Sequence, residues 1–304
     1  GVPQGLPGRR VVFVPPGQPI EALQQRQREY PGAEIRIIRL RKRDHFPGML
    51  RVLISAEDSD AEYLRWLDEK ILAQGTAASP QTLFEAIEET RHLDARVKSK
   101  ARTAVERAAK WLAKPGDDAG SLFDDLEDAM VIVDLRSDRE TPAEQLALVM
   151  ALLGVVSQLR GPDGDFLWVL AVLDEFNKII ARRTLSPVAV SLLTEVRHRK
   201  TTIIFACQMP EEFPTIGGNV LTGVIAGRIE GEKSYLALQK LKPAMKQFTR
   251  EQMAKLEPGQ QIALFGDASV AELCGEPVLV EVRPACAQPG GQTRYNGSEA
   301  EGED

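Results

Sequence analysis

The stretch Leu-Trp-Val-Leu-Ala-Val-Leu-Asp-Glu at residues 167–175 decides the fold class. Its seven consecutive apolar residues are typical of a strand in the middle of a parallel sheet. Asp174 and Glu175 follow at once, and open α/β sheets bind ligands at the carboxyl ends of their strands. The segment has the form of a Walker B element, with Asp174 on a nucleotide's Mg²⁺ and Glu175 as general base. The alternative is two acids at a strand end, one of which caps a helix.

Polar groups flank the next predicted strand, residues 202–207. Gln208 follows it directly, where an amide can contact a γ-phosphate or orient the attacking water. An ordinary loop glutamine is the alternative. The sequence Arg-His-Arg-Lys at 197–200 precedes the strand. A guanidinium from this stretch could stabilise transition-state charge, or the stretch could complement the dipole of a helix C-terminus.

Strands and helices alternate along most of the chain, which predicts an α/β fold with a doubly wound, mostly parallel sheet. The predicted strands are residues 11–14, 34–40, 130–135, 167–173, 202–207, 224–229, 261–265 and 278–282. The predicted helices are residues 20–28, 60–74, 79–90, 94–114, 141–160, 186–199 and 233–241.

The pattern divides the chain into four parts. Residues 1–56 begin the α/β core, and residues 57–116 form a helical insertion because helix-type periodicity replaces the strands there. Residues 117–284 resume the core and contain the paired acids. Residues 285–304 include the acidic Gly-Ser-Glu-Ala-Glu-Gly-Glu-Asp and are expected to be a disordered tail.

Composition further limits the class of protein and its cellular location. Of 304 residues, 43% are hydrophobic, which excludes disorder of the whole chain. The cysteines Cys207, Cys274 and Cys286 lack the spacing of a zinc site and suggest a reducing compartment. The longest apolar run, 146–156, has 11 residues, short of the roughly 20 of a membrane span, and no signal peptide is evident. We therefore expect a cytoplasmic protein without a membrane partner.

Charge is unevenly distributed although the net charge is −6. Residues 1–45 carry nine Lys or Arg against four acids, and residues 91–114 carry eight against two. Arg39, Arg41, Lys42 and Arg43 are candidate nucleic-acid contacts, and residues 96–114 could line the same path. A solvated basic face is the alternative.

The order of these pieces resembles the HerA family of hexameric DNA translocases, in the HerA/FtsK group of P-loop motors that has the conjugation ATPases as cousins. The resemblance covers about residues 120–284 and is looser over residues 10–45. The segments that carry it are SLFDDLEDAMVIVDLRS (121–137), VLAVLDEFNKI (169–179), EVRHRKTTIIFACQMP (195–210), NVLTGVIAGRIEG (219–231) and LEPGQQIALFG (256–266). Phe176 and Asn177 replace the family's Ala-His, and Pro15 stands where the family has an acid.

The resemblance implies a RecA-like fold, ATP with Mg²⁺ at Asp174, and catalysis by Glu175. It pairs Gln208 with the family's sensor glutamine and Arg199 with its sensor arginine. Arg228 falls where relatives place an arginine, which makes it a candidate for nucleotide binding at a subunit interface.

A phosphate-binding loop of the form GxxxxGK[ST] is missing from the sequence. The nearest glycine-rich stretch, residues 5–10, precedes a strand and offers no Lys-Ser or Lys-Thr. In the family this loop and a β-barrel would lie upstream of Gly1. The chain is therefore expected to be a fragment, or to have lost the loop, and to bind ATP weakly alone.

The family's function implies six subunits around double-stranded DNA, ATP-driven translocation or helicase activity, and a possible nuclease partner in DNA end processing, repair or phage defence. Two alternatives stay open: a pseudo-ATPase that only assembles with an active partner, and a conjugation or secretion ATPase. A metal-dependent hydrolase unrelated to ATP is a more distant alternative, because Asp174 and Glu175 lack a histidine-rich ligand set.

Overall fold

The computed structural model describes residues 9–46, 48–55, 61–114, 120–126, 129–136, 140–180, 185–213, 221–266 and 275–282. The predicted tail at 285–304 lies outside these ranges, as do Cys274 and Cys286. Within them, eight strands form three hydrogen-bonded sheets, two parallel and one antiparallel. The α/β fold with parallel sheets is confirmed.

The first sheet begins with a βαβ unit, as the sequence predicts. Strand β1 (Arg10–Val14) and strand β2 (Glu34–Ile37) are parallel, and helix α1 (Ile20–Glu29) connects them. Strand β3 (Met130–Val133) lies parallel to β1 on its other side, which gives the order β2-β1-β3. The buried β-branched and aromatic side chains of β1 make it the central strand.

The second sheet contains the stretch with the paired acids. Strand β4 (Val169–Leu173) pairs in parallel with strand β5 (Thr201–Phe205), and helix α7 (Pro187–Val196) lies between them in sequence. Helix α6 (Pro142–Val156) precedes β4 and is buried at every residue from Leu146 to Val155. The longest apolar run is therefore a central core helix.

The third sheet is antiparallel and has its own small core. Its strands are β6 (Gly223–Ala226), β7 (Gln260–Phe265) and β8 (Val278–Glu281), in that order. Helices α8 (Glu232–Leu241) and α9 (Arg250–Ala254) lie between β6 and β7 in sequence. The buried side chains of Met245 and Met253 fill the space between these elements.

Helix α2 (Met49–Ile54), which the sequence did not predict, precedes the helices expected as an insertion, which are α3 (Glu62–Gln74), α4 (Pro80–Glu89) and α5 (Ala95–Ala109). Side chains cap the last two: the Ser79 hydroxyl accepts a bond from Thr82 N at 3.2 Å, and Asp94 Oδ1 accepts one from Val97 N at 2.8 Å. The apolar faces of these helices share one hydrophobic core with β1, α6 and α7.

Helix α5 ends earlier than the predicted residue 114 because the following residues pair with the first sheet. Leu40 N donates to Trp111 O and Ala113 N donates to Leu40 O, both at 2.8 Å. This parallel bridge between Leu40 and Leu112 extends the edge beyond β2. The tertiary pairing overrides the helical periodicity that continues through Trp111 and Leu112.

One face of the β4–β5 sheet is open to solvent. Trp168 is 80% exposed, Leu170 65% and Val172 57%, and Ile204 of β5 is exposed beside them. The opposite face is packed against the main core. Parallel sheets are normally covered on both faces, so this apolar surface is unusual.

Candidate functional site

A strained turn follows β4. Glu175 has a φ of +49°, in the left-handed region that non-glycine residues rarely adopt. Its backbone N donates to Asp174 Oδ1 at 3.0 Å, and its carbonyl accepts a bond from Lys178 N at 2.8 Å. Backbone strain of this kind costs on the order of 1–3 kcal/mol and persists only where the surroundings enforce it.

Aromatic packing enforces the turn. Phe176 is fully buried, and its ring centroid lies 4.6 Å from that of Phe205 and 6.3 Å from that of Phe213. Its backbone N donates to Ala206 O at 3.1 Å. The residue after the paired acids is thus fixed to the carboxyl end of β5. The exposed carboxylates of the turn are held by a buried anchor.

The structure brings Glu175 and Gln208 together, as expected for residues at the carboxyl ends of neighbouring parallel strands. Gln208 Nε2 donates to Glu175 Oε1 at 3.2 Å. Lys178 Nζ donates to the other oxygen, Oε2, at 2.6 Å. Both carboxylate oxygens of Glu175 therefore carry a hydrogen bond. A carboxylate and an amide therefore lie side by side, where both can contact the same bound molecule.

Sequence reasoning missed Lys178 and Asn177. Lys178 lies three residues after Glu175, and this spacing on the short 3₁₀ turn Phe176–Ile179 was the available signal. Asn177 Nδ2 donates to Glu212 Oε2 at 2.7 Å, which ties the turn to the segment after β5. Asn177 Oδ1 is buried and has no hydrogen-bond partner in the described part of the chain.

Arg199 does not lie with the paired acids. It belongs to the 3₁₀ turn Arg197–Arg199 before β5, and its guanidinium pairs with Glu195 at 3.1 Å. Glu175 and Gln208 lie beyond the other end of that strand, whose five residues span about 16 Å. The predicted role of Arg199 at the same phosphate has no support from this geometry.

Arg228 lies two residues after β6, is exposed, and pairs with Glu230 at 2.5 Å. The structure shows no contact between Arg228 and the described residues around Asp174. An exposed position is compatible with the expected subunit interface, which stays a prediction.

The four predicted nucleic-acid residues have two different environments. Arg39 donates to the carbonyl of Lys110, and an Arg41 Nη1 group lies 3.3 Å from Ser121 O, so both stabilise the fold. Lys42 and Arg43 are exposed. Lys42 and Arg43 are thus the residues of this stretch that are available to contact phosphates.

A second carboxylate lies at the carboxyl end of β3. Asp134 is buried between Arg26, at 2.8 Å, and Arg136, at 2.5 Å. Tyr30 also donates to it, at 3.3 Å. Burial alone would raise the pKa of Asp134, but the hydrogen bonds and charge of Arg136, together with Arg26, outweigh it and lower the pKa below its usual range. We interpret this cluster as structural, since its charges satisfy one another.

The donor set at the β4 turn suits Mg²⁺ held together with a nucleotide. Mg²⁺ usually takes one or two carboxylates and completes its shell with water and phosphate oxygens. The exposed Asp174 provides such a carboxylate. The described residues contain no cluster of three or more His, Cys, Asp or Glu side chains that would hold a metal alone. A metal site independent of a nucleotide is therefore unsupported.

No protein-family model matches the sequence, and no curated protein matches it significantly. Among solved structures, the chain is similar to the bacterial conjugative coupling protein TrwBdeltaN70 in its unbound monoclinic form, with 11% identity and a TM-score of 0.51. That match covers 93% of this chain and 80% of the other. At this level of identity the likeness concerns the fold alone, which is α/β with parallel strands.

Two further solved structures are more distant in shape. VirB4 of Thermoanaerobacter pseudethanolicus has 14% identity and a TM-score of 0.49, over 92% of this chain and 83% of the other. The genome packaging NTPase B204 from Sulfolobus turreted icosahedral virus 2, in complex with ATP-gammaS, has 14% identity and a TM-score of 0.39. That match covers 55% of this chain and 73% of the other.

None of the described helices is long and apolar enough to cross a membrane.

Proposed function

We propose that this chain is the hydrolytic part of an ATP-driven motor that translocates double-stranded DNA. The observation that carries the proposal is the hydrogen bond between Gln208 and Glu175 at the carboxyl ends of adjacent parallel strands. The fold supports it, since nucleotides bind at this edge of such sheets. The finer assignment to a HerA-like ring of six subunits, with a nuclease partner, rests on the sequence resemblance.

Each residue at the turn has a proposed role. Asp174 would hold Mg²⁺, which would neutralise phosphate charge when it is bound with ATP. Glu175 accepts a proton from the attacking water, and Gln208 orients that water or contacts the γ-phosphate. Phe176 acts only as an anchor, because it is buried and touches no solvent.

Lys178 sets a condition on this mechanism. Each oxygen of Glu175 accepts one hydrogen bond and keeps a further lone pair, so Lys178 competes with the attacking water for the carboxylate without blocking it. The Lys178 side chain is 63% exposed, so water can replace it at the carboxylate. The structure therefore corresponds to a resting arrangement in this proposal.

In this proposal the phosphate-binding loop comes from outside these 304 residues. We propose that a strand–loop–helix segment outside these 304 residues supplies it and covers the open face of β4 and β5. Two features support this: Leu170, Val172 and Ile204 are exposed on that face, and β5 pairs on one side only among the described strands. A phosphate-binding loop lies between a strand and a helix. A neighbouring strand and a covering helix are the elements that would complete the open sheet of β4 and β5.

A non-hydrolysing assembly subunit is the second candidate. The absence of a phosphate-binding loop from the sequence favours it. It predicts ring assembly without ATP turnover. The motor predicts turnover that duplex DNA stimulates, once the loop is present.

The test is Mg-ATP hydrolysis with and without duplex DNA, on this chain and on the protein encoded by the complete gene. Glu175→Gln in the complete protein is the inactive variant, and the exposed Glu69→Gln on α3 is its matched control. DNA-stimulated turnover that only Glu175→Gln abolishes supports the motor. Ring assembly without turnover in every protein overturns it in favour of the assembly subunit.

A further inference from the structure

Helix α5 carries an unusual density of positive charge. Residues 95–110 contain six Lys or Arg and one acid, Glu106. The opposite face of the helix is packed against the core through Ala101, Ala104, Val105 and Ala108. The basic side chains therefore project from a fixed scaffold.

Three of the six side chains fasten α5 to its neighbours. Arg102 forms an ion pair with Glu88, and Lys98 Nζ donates to the carbonyl of the same residue at 3.3 Å. Lys110 Nζ lies 2.9 Å from Glu144 of α6. These three side chains are therefore engaged in contacts within the fold.

The other three lie in a row on the solvent side. Arg96, Lys100 and Arg107 occupy positions i, i+4 and i+11, which places them within about 40° of one another around the helix. Thr103 lies in the same row, and all four residues are exposed. The row is about 16 Å long at 1.5 Å per residue.

This row is poorly neutralised. Among the described residues Arg96 and Lys100 are in none of the ion pairs, and Lys100 Nζ lies 6.0 Å from the centroid of the Tyr63 ring. The nearest acid to Arg107 is Glu144, at 3.9 Å, and that carboxylate already binds Lys110 and the Thr141 backbone. When such a row neutralises DNA phosphates, the cations condensed on the DNA are released, which favours binding at low salt.

The fold also joins the two basic stretches that are far apart in sequence. Leu40 is hydrogen-bonded to residues 111 and 113, and the Arg39 side chain bonds to the Lys110 carbonyl. The exposed Lys42 and Arg43 therefore lie next to the carboxyl end of α5. The two basic stretches are therefore joined through Arg39 and Leu40.

The chemistry of the row fits phosphates better than a protein partner. A protein interface needs an apolar centre. None of the large exposed hydrophobic side chains in the described ranges belongs to α5. Cations and hydroxyls on a helix are the groups that contact the nucleic-acid backbone without reading its sequence.

We propose that α5 binds the phosphate backbone of double-stranded DNA through Arg96, Lys100, Thr103 and Arg107, and that Lys42 and Arg43 extend this surface. The inference rests on the proposed function for its choice of duplex DNA. It assigns the contact to the helical block rather than to the nucleotide site. Binding at this surface is independent of base sequence and of ATP.

The test measures affinity of the 304-residue chain for a fluorescent 30-base-pair duplex by anisotropy, without nucleotide, over a series of salt concentrations. The triple variant R96Q/K100Q/R107Q is compared with K233Q/K240Q/K246Q, which removes three exposed lysines from α8 and its following turn. Glutamine keeps helix propensity, and circular dichroism checks that both variants fold.

We expect the α5 variant to bind at least about tenfold more weakly at low salt, with a log–log salt slope smaller by roughly 2.7, while the control keeps the wild-type slope. Adding K42Q/R43Q reduces the slope further. Equal losses in the α5 variant and the control overturn the inference, as does a wild-type chain that binds no duplex at low salt. If the protein shows this pattern of DNA binding but does not hydrolyse ATP, only the proposed function is overturned.

Discussion

The amide of Gln208 donates a hydrogen bond to Glu175 at 3.2 Å, although 33 residues separate them in sequence. The parallel register of β4 and β5, with Leu173 opposite Phe205, creates this proximity. The same carboxylate pairs with Lys178 at 2.6 Å. A carboxylate, an amide and a cation therefore meet at one point, and the roles proposed for them can be tested residue by residue.

Glu175→Gln is expected to reduce ATP hydrolysis by the complete protein by about 10²–10⁴-fold, because the amide cannot accept the proton from water. Binding of Mg-ATP, followed with a fluorescent nucleotide, should change little, because the proposed metal ligand is Asp174. Hydrolysis that continues at the wild-type rate in Glu175→Gln would exclude Glu175 as the base.

Lys178→Met should raise the basal hydrolysis rate of the complete protein, because it frees one oxygen of Glu175. Exposed ion pairs are worth roughly 0.2–1 kcal/mol, so the increase is at most about fivefold. Lys178→Arg is the matched control, since it preserves the charge. A basal rate that falls in Lys178→Met would show instead that Lys178 assists the reaction.

The β4 turn also shows how far sequence reasoning reaches. The apolar run before Asp174 predicts the strand, and the following polar residues predict the site, because both signals are local. Lys178 was missed because its importance depends on the left-handed turn at Glu175, which no local pattern reveals. The position of Arg199 depends on tertiary structure in the same way: the residue precedes its strand, and only the direction of β5 shows which end of the sheet it occupies.

Helix lengths show a second limit. Periodicity predicts a helix to residue 114, but the helix ends at Ala109 because Leu112 pairs with Leu40. The separation of the strands into three sheets is another tertiary effect, since it depends on which strands find partners. Local signals fix the existence and type of elements better than their ends and pairing.

Phe176→Ala should destabilise the chain by about 3–5 kcal/mol, because it empties a fully buried aromatic site between Phe205 and Phe213. Urea denaturation measures the change in free energy of unfolding. Leu236→Ala is the control, since that side chain is 48% exposed and should change stability by less than about 0.5 kcal/mol. Similar losses in the two variants would contradict the anchoring role of Phe176.

Asp134 should make stability depend on acid. Its pKa is lowered in the folded state, so its contribution is complete above the unfolded value of about 3.9 and is lost as pH falls through the folded pKa. In Asp134→Asn this loss of stability at low pH should be absent. It should also lower stability near pH 7 by about 3–5 kcal/mol, because Arg26 is left buried without its partner.

Urea denaturation of both proteins between pH 3 and pH 7 measures this effect. Asp163→Asn, in an exposed turn, is the control and should follow the wild-type profile. A variant Asp134→Asn whose stability falls with acid as steeply as the wild type would assign the dependence to other carboxyl groups.

Trp168 reports whether the open face of β4 is covered. Of the three tryptophans, Trp66 and Trp111 are buried, whereas Trp168 is 80% exposed. Acrylamide should therefore quench mainly Trp168 in the 304-residue chain, and Trp168→Phe should remove most of the quenchable emission. In the complete protein, a strand–loop–helix segment over Leu170 and Val172 should shift the Trp168 emission to the blue and protect it. Equal quenching in both proteins would mean that this face stays open, and the phosphate-binding loop would then have to reach Asp174 and Glu175 from another direction.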